Sequence, residues 1–309
     1  MIEKLNIKLR KKIAQRKHGS VDDEQDKKKF EMLDMLKKLS DQTEHYEIPI
    51  QKNLVYSFAK NPHLLITGGT GSGKSYFTNY LITMASLKGA NLFICDPKNS
   101  DLAGLSRVIS NHKVVSEAQE ILNLIREYKE IMDNRYAYIN ELKEKKNLFS
   151  GDFTDFDIPV ALLVIDELGS LMSQFQKKEK DEFKAILKQV INKGRQAGCN
   201  VCLITQRANA ENIPTEIRDQ MSFRCFLGEP KQQDKIMVFG DGYEYIKRVY
   251  DVGEGLFYLD GKTDNPALLQ TPFYDESQLE SVYKYAFMNQ YLYEDGGVKL
   301  MERITPSDV

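Results

Sequence analysis

Short apolar runs alternate with amphipathic stretches along the chain from Ile48 onward. Each run has the length of a buried strand, and polar, helix-forming stretches separate the runs. The runs predict six strands, at 63–67, 90–96, 161–166, 200–205, 222–227 and 256–259. Strands that alternate with helices usually lie parallel in one sheet, with the helices packed on its faces. The pattern therefore predicts an α/β fold with a mostly parallel central sheet flanked by helices.

Two long helices are predicted between these strands. Ser116 and Gln119 have the spacing of a capping box, and the apolar positions that follow keep helical periodicity. The second helix is predicted to end near Gly194 or Gly198, since glycine commonly follows the last helical residue. Its continuous apolar face consists of Phe183, Ile186, Leu187, Val190 and Ile191.

The two ends of the chain differ from its centre. Residues 1–46 are predicted to form a charged helical arm, basic at first and then acidic, with a short amphipathic helix that contains Leu36 and Leu39. Such an arm can contact a membrane surface, DNA or a partner, or can be a solvated, partly disordered helix. The predicted organisation is an arm at 1–46, a motor domain at 47–275 and a helical tail at 276–309.

Composition and charge narrow the class of protein. The chain is 41% hydrophobic, which is enough for a substantial core, and no apolar run approaches the ~20 residues of a membrane span. We therefore expect a cytoplasmic protein. A formal net charge of -2 confines any contact with nucleic acid phosphates to a local groove or channel. Cys199 and Cys202 are expected on opposite faces of one strand, which disfavours a shared metal site.

A complete phosphate-binding motif follows the first predicted strand. Its eight residues match G-x-x-x-x-G-K-[ST] and precede a helical stretch; they are Gly68, Gly69, Thr70, Gly71, Ser72, Gly73, Lys74 and Ser75. Glycines let successive backbone N–H groups point at phosphate oxygens, and the following helix adds the positive end of its dipole. Lys74 is predicted to reach the β- and γ-phosphates, and the Ser75 hydroxyl is predicted to bind Mg²⁺. The motif predicts ATP and Mg²⁺ as ligands.

The predicted strand at 161–166 ends in two successive carboxylates, Asp166 and Glu167. Asp166 is predicted to hold the hydrated Mg²⁺, and Glu167 to orient or deprotonate the attacking water. An Asp-Glu pair at a strand end is a weak signal by itself, since it often only starts a loop. Downstream of a complete phosphate loop, the pair indicates the hydrolytic centre of an ATPase.

Two further polar residues are candidates for the site. Gln206 ends the next strand beside the carboxylates, where it could sense the γ-phosphate or belong to a simple turn. Arg195 lies at the end of the second helix, where it could reach the phosphates of a neighbouring subunit or neutralise the helix C-terminus.

These motifs together resemble the FtsK/SpoIIIE family of DNA translocases, within the HerA-FtsK branch of RecA-like P-loop ATPases. The similarity extends from Ile48 to Phe273. Its segments are 61–68, 96–98, 133–136, 164–167, 194–198, 205–207, 213–218 and 253–259. The resemblance implies a RecA-like motor domain, a homo-hexameric ring around double-stranded DNA, ATP bound between subunits, and Arg195 as a finger acting on the neighbour's site.

The chain is short beside the long members of that family and is similar to the compact members of plasmids and other mobile elements. The resemblance therefore implies a conjugative coupling ATPase, with relaxase or membrane transfer-complex proteins as partners and recruitment to the inner face of the membrane. Protein secretion, chromosome or plasmid segregation, and nucleotide binding without turnover are the alternatives. Lys98 and Arg207 are weak candidates for DNA contacts in the channel.

Overall fold

The computed structural model describes residues 33–100, 102–109, 113–209, 213–245, 250–272, 292–294 and 297–299. Ten of its strands lie in the first 272 residues, and they are β1 (Glu47–Gln51), β2 (Leu54–Ser57), β3 (Leu64–Gly68), β4 (Asn91–Cys95), β5 (Val114–Val115), β6 (Ala161–Ile165), β7 (Cys199–Thr205), β8 (Phe223–Leu227), β9 (Glu254–Leu259) and β10 (Ala267–Gln270). All six strands predicted from the apolar runs are present, within two residues of their predicted bounds.

Seven α-helices connect or cover these strands in the described part of the chain. They are α1 (33–40), α2 (Lys74–Leu87), α3 (Ala118–Lys145), α4 (Leu168–Gln174), α5 (Lys177–Ala197), α6 (Thr215–Arg218) and α7 (Gln232–Phe239). Two short 3₁₀ helices, Ala103–Arg107 and Phe153–Phe156, lie in the connections. No helix among the described residues is both long enough and apolar enough to span a membrane.

The main sheet has eight strands in the order β10-β9-β8-β3-β7-β6-β4-β5. The six strands from β8 to β5 are parallel, whereas β9 and β10 complete one edge in antiparallel pairing. The prediction of a mostly parallel α/β sheet is therefore confirmed. Because parallel strands share one direction, β3, β4, β6 and β7 all present their carboxyl ends at the same edge of the sheet.

Alternate residues of the central strands pack on opposite faces of the sheet. Leu64 and Ile66 lie in the core beneath α2, whereas Leu65 lies in the core beneath α3 and α5. Cys202 and Cys199 likewise belong to opposite cores, as predicted, and both are free thiols. A sheet buried on both faces explains why the strands appear in the sequence as continuous apolar runs rather than as alternating ones.

The two long helices of one face pack together. The α3 helix begins at Ala118 with Glu117 as its N-cap and no side-chain capping bond, so the predicted capping box of Ser116 and Gln119 is not formed. The α5 helix ends at Ala197, and Gly198 caps it in the left-handed conformation with φ 66°. A β-carbon on Gly198 would lie 2.6 Å from the Phe153 ring, so only glycine fits this turn.

The end of the predicted N-terminal arm is part of the packed core. Leu36 and Leu39 of α1 are buried in the same cluster as β1 and β2, because the apolar stripe of α1 covers that end of the sheet. The Lys88 ammonium donates hydrogen bonds to the carbonyls of Ser40 and Thr43 at the end of α1. The boundary drawn at residue 46 therefore falls inside one packed unit; residues 1–32 of the predicted arm lie outside the described residues.

Most of the predicted helical tail, 276–309, also lies outside the described residues. Its described parts are not helical: Leu292–Glu294 (β11) and Gly297–Lys299 (β12) pair antiparallel. The sequence between these two strands is Asp295-Gly296, a common signal for a tight hairpin turn, and the helical prediction overlooked it.

Candidate active site at the carboxyl edge of the sheet

The phosphate loop connects the end of β3 at Gly68 to the start of α2 at Lys74. Gly73 is the N-cap of α2 and has φ 101°, a left-handed conformation that side chains disfavour. A β-carbon at Gly73 would also lie 2.8 Å from the backbone nitrogen of Gly253. The backbone therefore requires glycine at position 73. The predicted position of the motif, between a strand and a helix, is confirmed.

The loop is tied to the antiparallel edge of the sheet. The Gly253 N–H donates to the Ser72 carbonyl at 2.9 Å, and the Thr271 N–H donates to the Gly253 carbonyl at 2.8 Å. These two bonds join the phosphate loop to the segment before β9 and the segment after β10. Gly253 is almost two hundred residues from the loop in sequence, and spacing alone gave no signal of this contact.

Lys74 projects into the phosphate loop. Its ammonium donates hydrogen bonds to the carbonyls of Gly68 at 2.6 Å and Gly69 at 2.9 Å. Burial lowers the pKa of Lys74, while the nearby Glu167 and Asp166 carboxylates act in the opposite direction. The ammonium thus lies inside the loop that is predicted to hold the phosphates, and its contact with them stays a prediction.

Asp166 follows β6 directly, at the carboxyl edge of the sheet, and its N–H donates to the Cys95 carbonyl of β4. Burial, followed by the negative charges of Asp96 and Glu167, raises the pKa of Asp166 to about 6. Lys98 and Lys74 offset part of this effect. The three carboxylates at this edge of the sheet outnumber the two ammonium groups, so a divalent cation would stabilise the site.

The donor atoms present fit Mg²⁺. Mg²⁺ prefers oxygen ligands and usually takes one or two from the protein, completing its shell with water and substrate phosphates. No group of three or more His, Cys, Asp or Glu side chains among the described residues could hold a metal alone. The Asp166 carboxylate and the Ser75 hydroxyl, which is exposed in the first turn of α2, can supply these one or two protein ligands.

Glu167 is held by the end of β7 and by the loop after β4. It has φ 51°, a left-handed conformation, and is the N-cap of α4. Its Oε1 accepts hydrogen bonds from the Thr205 hydroxyl at 3.1 Å and the Gln206 N–H at 3.2 Å. Its Oε2 lies 3.3 Å from the Lys98 ammonium. The carboxylate is thus fixed in position beside the phosphate loop, and an uncommon backbone conformation at such a place is typical of functional residues.

Gln206 lies between the carboxylate and the phosphate loop. Its backbone binds Glu167, and its side-chain oxygen accepts a long hydrogen bond, 3.5 Å, from the Thr70 hydroxyl of the loop. Gln206 thus lies beside the carboxylates, where the sequence placed it, and it also contacts the phosphate loop; its role as a sensor of the γ-phosphate stays a prediction.

Asp96 has a role that the sequence did not reveal. Its fully buried carboxylate accepts hydrogen bonds from the N–H groups of Lys98 at 3.2 Å, Ser100 at 2.8 Å and Ala103 at 3.0 Å. It therefore shapes the loop after β4 that carries Lys98. The sequence does show that Asp96 follows a predicted strand. That position indicates a role in the site only once β4 is known to lie beside β6 in the sheet.

Arg195 lies far from the residues at the carboxyl edge of the sheet. It is exposed in the last turn of α5, beside the amino end of β7, whereas Thr205 and Gln206 lie at the carboxyl end of that strand. Seven strand residues rise roughly 20 Å, far beyond the reach of an arginine side chain. Arg195 therefore cannot reach the phosphate loop of its own chain.

A cavity of about 270 Å³ adjoins the phosphate loop on the side of α2. Gly73, Tyr76, Asp251, Val252, Thr271 and Pro272 line it. Val252 is 60% exposed, which is unusual for a large apolar side chain. A concave site with an aromatic, an aliphatic and a carboxylate side chain next to a phosphate loop suits a flat, polar-edged ring.

The fold and this site together define a P-loop ATPase. Residues 43–149, which include the phosphate loop, match the sequence profile of the FtsK/SpoIIIE family. This match confirms the family resemblance found in the motifs.

Two relatives extend the similarity. The FtsK domain-containing protein YdcQ of Bacillus subtilis (strain 168) is 35% identical over 209 residues, which are 67% of this chain and 43% of YdcQ. The DNA translocase FtsK of Corynebacterium efficiens is 25% identical over 252 residues, covering 75% of this chain and 26% of its own length. The chain thus spans less than half the length of these curated relatives.

Solved structures share the fold at low sequence identity. The pCW3 conjugation coupling protein TcpA, in a monomer form with ATPγS, has a TM-score of 0.63 and 18% identity over 78% of this chain and 71% of its own. The cytoplasmic domain of the Thermomonospora curvata type VII secretion ATPase EccC has a TM-score of 0.56 and 18% identity over 78% of this chain and 31% of its own. At such identities the likeness concerns the fold.

Proposed function

We propose that this chain hydrolyses ATP to move double-stranded DNA, in the transfer of conjugative or other mobile-element DNA. The observation that carries the proposal is Glu167, fixed beside the phosphate loop by β7 and Lys98, in a chain with the motifs of the FtsK/SpoIIIE family. The names of two relatives, a DNA translocase and a conjugation coupling protein, support the choice of DNA as the polymer.

The side chains of the site divide the work of hydrolysis. Lys74 binds the β- and γ-phosphates, while Ser75 and Asp166 hold Mg²⁺, which offsets the charge of the phosphates when bound. Glu167 orients the attacking water and accepts its proton. Gln206 joins Glu167 to Thr70 of the phosphate loop, so loss of the terminal phosphate would change its contacts.

The base of ATP is proposed to occupy the 270 Å³ cavity beside Gly73. Tyr76 and Val252 offer surfaces for the faces of the ring, and the exposed Asp251 carboxylate can accept a hydrogen bond from an exocyclic amine. Adenine carries such an amine on its ring edge, so the cavity can accept the base of ATP.

Assembly is proposed to complete the site. Arg195 is exposed, has no partner among the described side chains, and lies at the edge of the sheet opposite the phosphate loop. Head-to-tail contact between two copies would bring such a residue to the phosphates of the neighbour, and repetition of that contact closes a ring. A homo-hexamer is the ring that the family resemblance favours, with relaxase or membrane transfer-complex proteins as further partners.

The test is the rate of ATP hydrolysis with and without long duplex DNA. Backbone-directed binding predicts a several-fold stimulation that is independent of DNA sequence and falls steeply with salt concentration. Displacement of a bound third strand from the end of the duplex would demonstrate movement. An equal rate with and without DNA, over a range of salt concentrations, would contradict the proposal.

The alternative is a motor for protein secretion, which the fold of EccC favours. The same assay separates the two functions, because a secretion motor would respond to an exported polypeptide and not to DNA. Hydrolysis that neither polymer stimulates would instead favour a nucleotide-binding module with a regulatory role.

A further inference from the structure

The loop after β4 places a lysine against the hydrolytic carboxylate. The Lys98 ammonium lies 3.3 Å from Glu167 Oε2, and its side chain is 40% exposed whereas that of Glu167 is 12% exposed. Lys98 therefore reaches from the solvent into the site, in contrast to Lys74, which lies within the phosphate loop. The proposed function uses Lys98 only as a contact that fixes Glu167.

The backbone of Lys98 is firmly anchored although its side chain is partly exposed. The buried Asp96 carboxylate accepts the Lys98 N–H at 3.2 Å, and the Gln174 side chain donates to the Pro97 carbonyl at 3.0 Å. A fixed backbone with a long, flexible side chain lets the ammonium move between partners without any change in the fold.

The two oxygens of Glu167 have different partners. Oε1 accepts both hydrogen bonds from the end of β7, from Thr205 and Gln206. Among the described residues, Lys98 is the one partner of Oε2. Oε2 is therefore the oxygen available to a reacting water, and Lys98 competes with that water for it.

We propose that Lys98 is a positioning residue that occupies Glu167 Oε2 until phosphate charge draws its ammonium away. The inference rests on the proposed hydrolysis of ATP at Glu167. A half-exposed ion pair is weak and easily exchanged. A phosphate group is a strong competing partner for an ammonium. That phosphate belongs either to the terminal group of ATP or to the backbone of duplex DNA, and both offer the same chemistry.

The experiment compares steady-state ATP hydrolysis by Lys98→Met, which keeps most of the stem and loses the charge, with Lys98→Arg, which keeps the charge. Lys129→Met is the matched control, because Lys129 forms a similar partly exposed ion pair with Asp133 on α3, remote from the site. Each full-length chain is assayed over a range of ATP concentrations, with and without long duplex DNA. Urea unfolding confirms that the variants fold.

If DNA phosphates release Lys98, Lys98→Met raises kcat without DNA about two- to five-fold at unchanged KM, and the stimulation by DNA shrinks by the same factor. If the terminal phosphate of ATP releases it, Lys98→Met raises KM about two- to five-fold at unchanged kcat and unchanged stimulation. In both cases Lys98→Arg and Lys129→Met behave like the wild type.

A fall in kcat of Lys98→Met at unchanged KM, or no change in either constant, would overturn the inference. The wild-type rate separates this failure from a failure of the proposed function. A wild-type chain that hydrolyses ATP while Lys98→Met equals it refutes the role of Lys98 alone, whereas a wild-type chain without hydrolysis refutes the proposed function.

Discussion

The two ends of strand β7 differ in how completely one chain builds them. At the carboxyl end, the buried Thr205 and the backbone of Gln206 bind Glu167, and Gln206 also contacts the phosphate loop. At the amino end, Arg135 donates to the carbonyls of Ala197 and Gly198 and so fixes the last turn of α5, yet the Arg195 side chain on that turn is exposed.

This difference separates two kinds of functional residue. The carboxyl end positions its groups through contacts within the chain, so Glu167 is held in place before any partner arrives. The amino end has a rigid backbone that presents a cation to the outside, which is the arrangement expected of a residue that acts on another molecule. The following predictions test this contrast.

The largest expected effect belongs to Arg195→Ala. A trans-acting arginine stabilises the charge that develops during phosphoryl transfer, so we expect kcat to fall about 10³-fold with little change in nucleotide affinity. The measurement is DNA-stimulated hydrolysis together with binding of a non-hydrolysed ATP analogue. Lys193→Ala, a neighbouring exposed cation on the same turn, is the control and keeps the wild-type rate. A similar loss in both variants would show that the positive charge of this turn, and not the Arg195 side chain in particular, supports hydrolysis.

Mixing inactive variants sharpens that prediction. Arg195→Ala retains Glu167, and Glu167→Gln retains Arg195, so a mixed ring contains some interfaces with both functional groups. At equal concentrations about a quarter of the interfaces would be complete, and hydrolysis should reappear on mixing. A mixture as inactive as its components would show that Arg195 does not act across an interface.

A smaller loss is expected for Thr205→Val at the other end of β7. The variant removes one of two donors to Glu167 Oε1 but keeps the shape of the side chain, so kcat should fall about tenfold at unchanged KM. Thr78→Val is the control, because the Thr78 hydroxyl of α2 is buried without a hydrogen-bond partner. Equal kinetics for the two variants would show that the carboxyl end does not depend on this contact.

The last prediction concerns stability rather than the rate of hydrolysis. Burial and two neighbouring carboxylates raise the pKa of Asp166 from 3.8 to about 6, so the folded chain retains a proton that the unfolded chain loses between these values. The stability that this group provides is present below pH 3.8 and is lost as the pH rises through about 6. Asp166→Asn should therefore stabilise the chain at pH 8 by about 3 kcal/mol, and the gain should vanish towards pH 4.

Urea unfolding at both pH values, without nucleotide or divalent cation, measures this difference. Asp133→Asn, which removes an exposed carboxylate of α3, should show no comparable dependence on pH. A constant difference between Asp166→Asn and the wild type across this range would show that Asp166 is not strained by its neighbours.

The central strands and the hydrolytic groups were predictable from the sequence. A parallel sheet that is buried on both faces produces continuous apolar runs, and parallel strands bring their carboxyl ends to one edge, which unites Lys74, Asp166, Glu167 and Gln206. The β1-β2 hairpin was overlooked because Pro49 interrupts β1 and disfavours a strand prediction. The two-residue β5 is too short to produce a pattern.

The remaining parts of the site depend on contacts between distant segments. The position of Lys98 against Glu167 follows from the packing of β4 beside β6 and from the hydrogen bonds of Asp96. Gly253 approaches Gly73 closely, although the two turns are far apart in the sequence. No pattern of residues in the sequence predicts this contact. Such contacts appear only when the order of strands in the sheet is known.

The bonds between Ser72, Gly253 and Thr271 connect the phosphate loop directly to the last residues of the sheet. Pro272 follows Thr271 and lines the cavity beside the loop, so the segment after β10 runs along the nucleotide-binding edge. This makes position 272 a natural place for a reporter. An environment-sensitive dye attached there, next to Thr271, would be linked to the phosphate loop through two hydrogen bonds and would convert nucleotide occupancy into an optical signal.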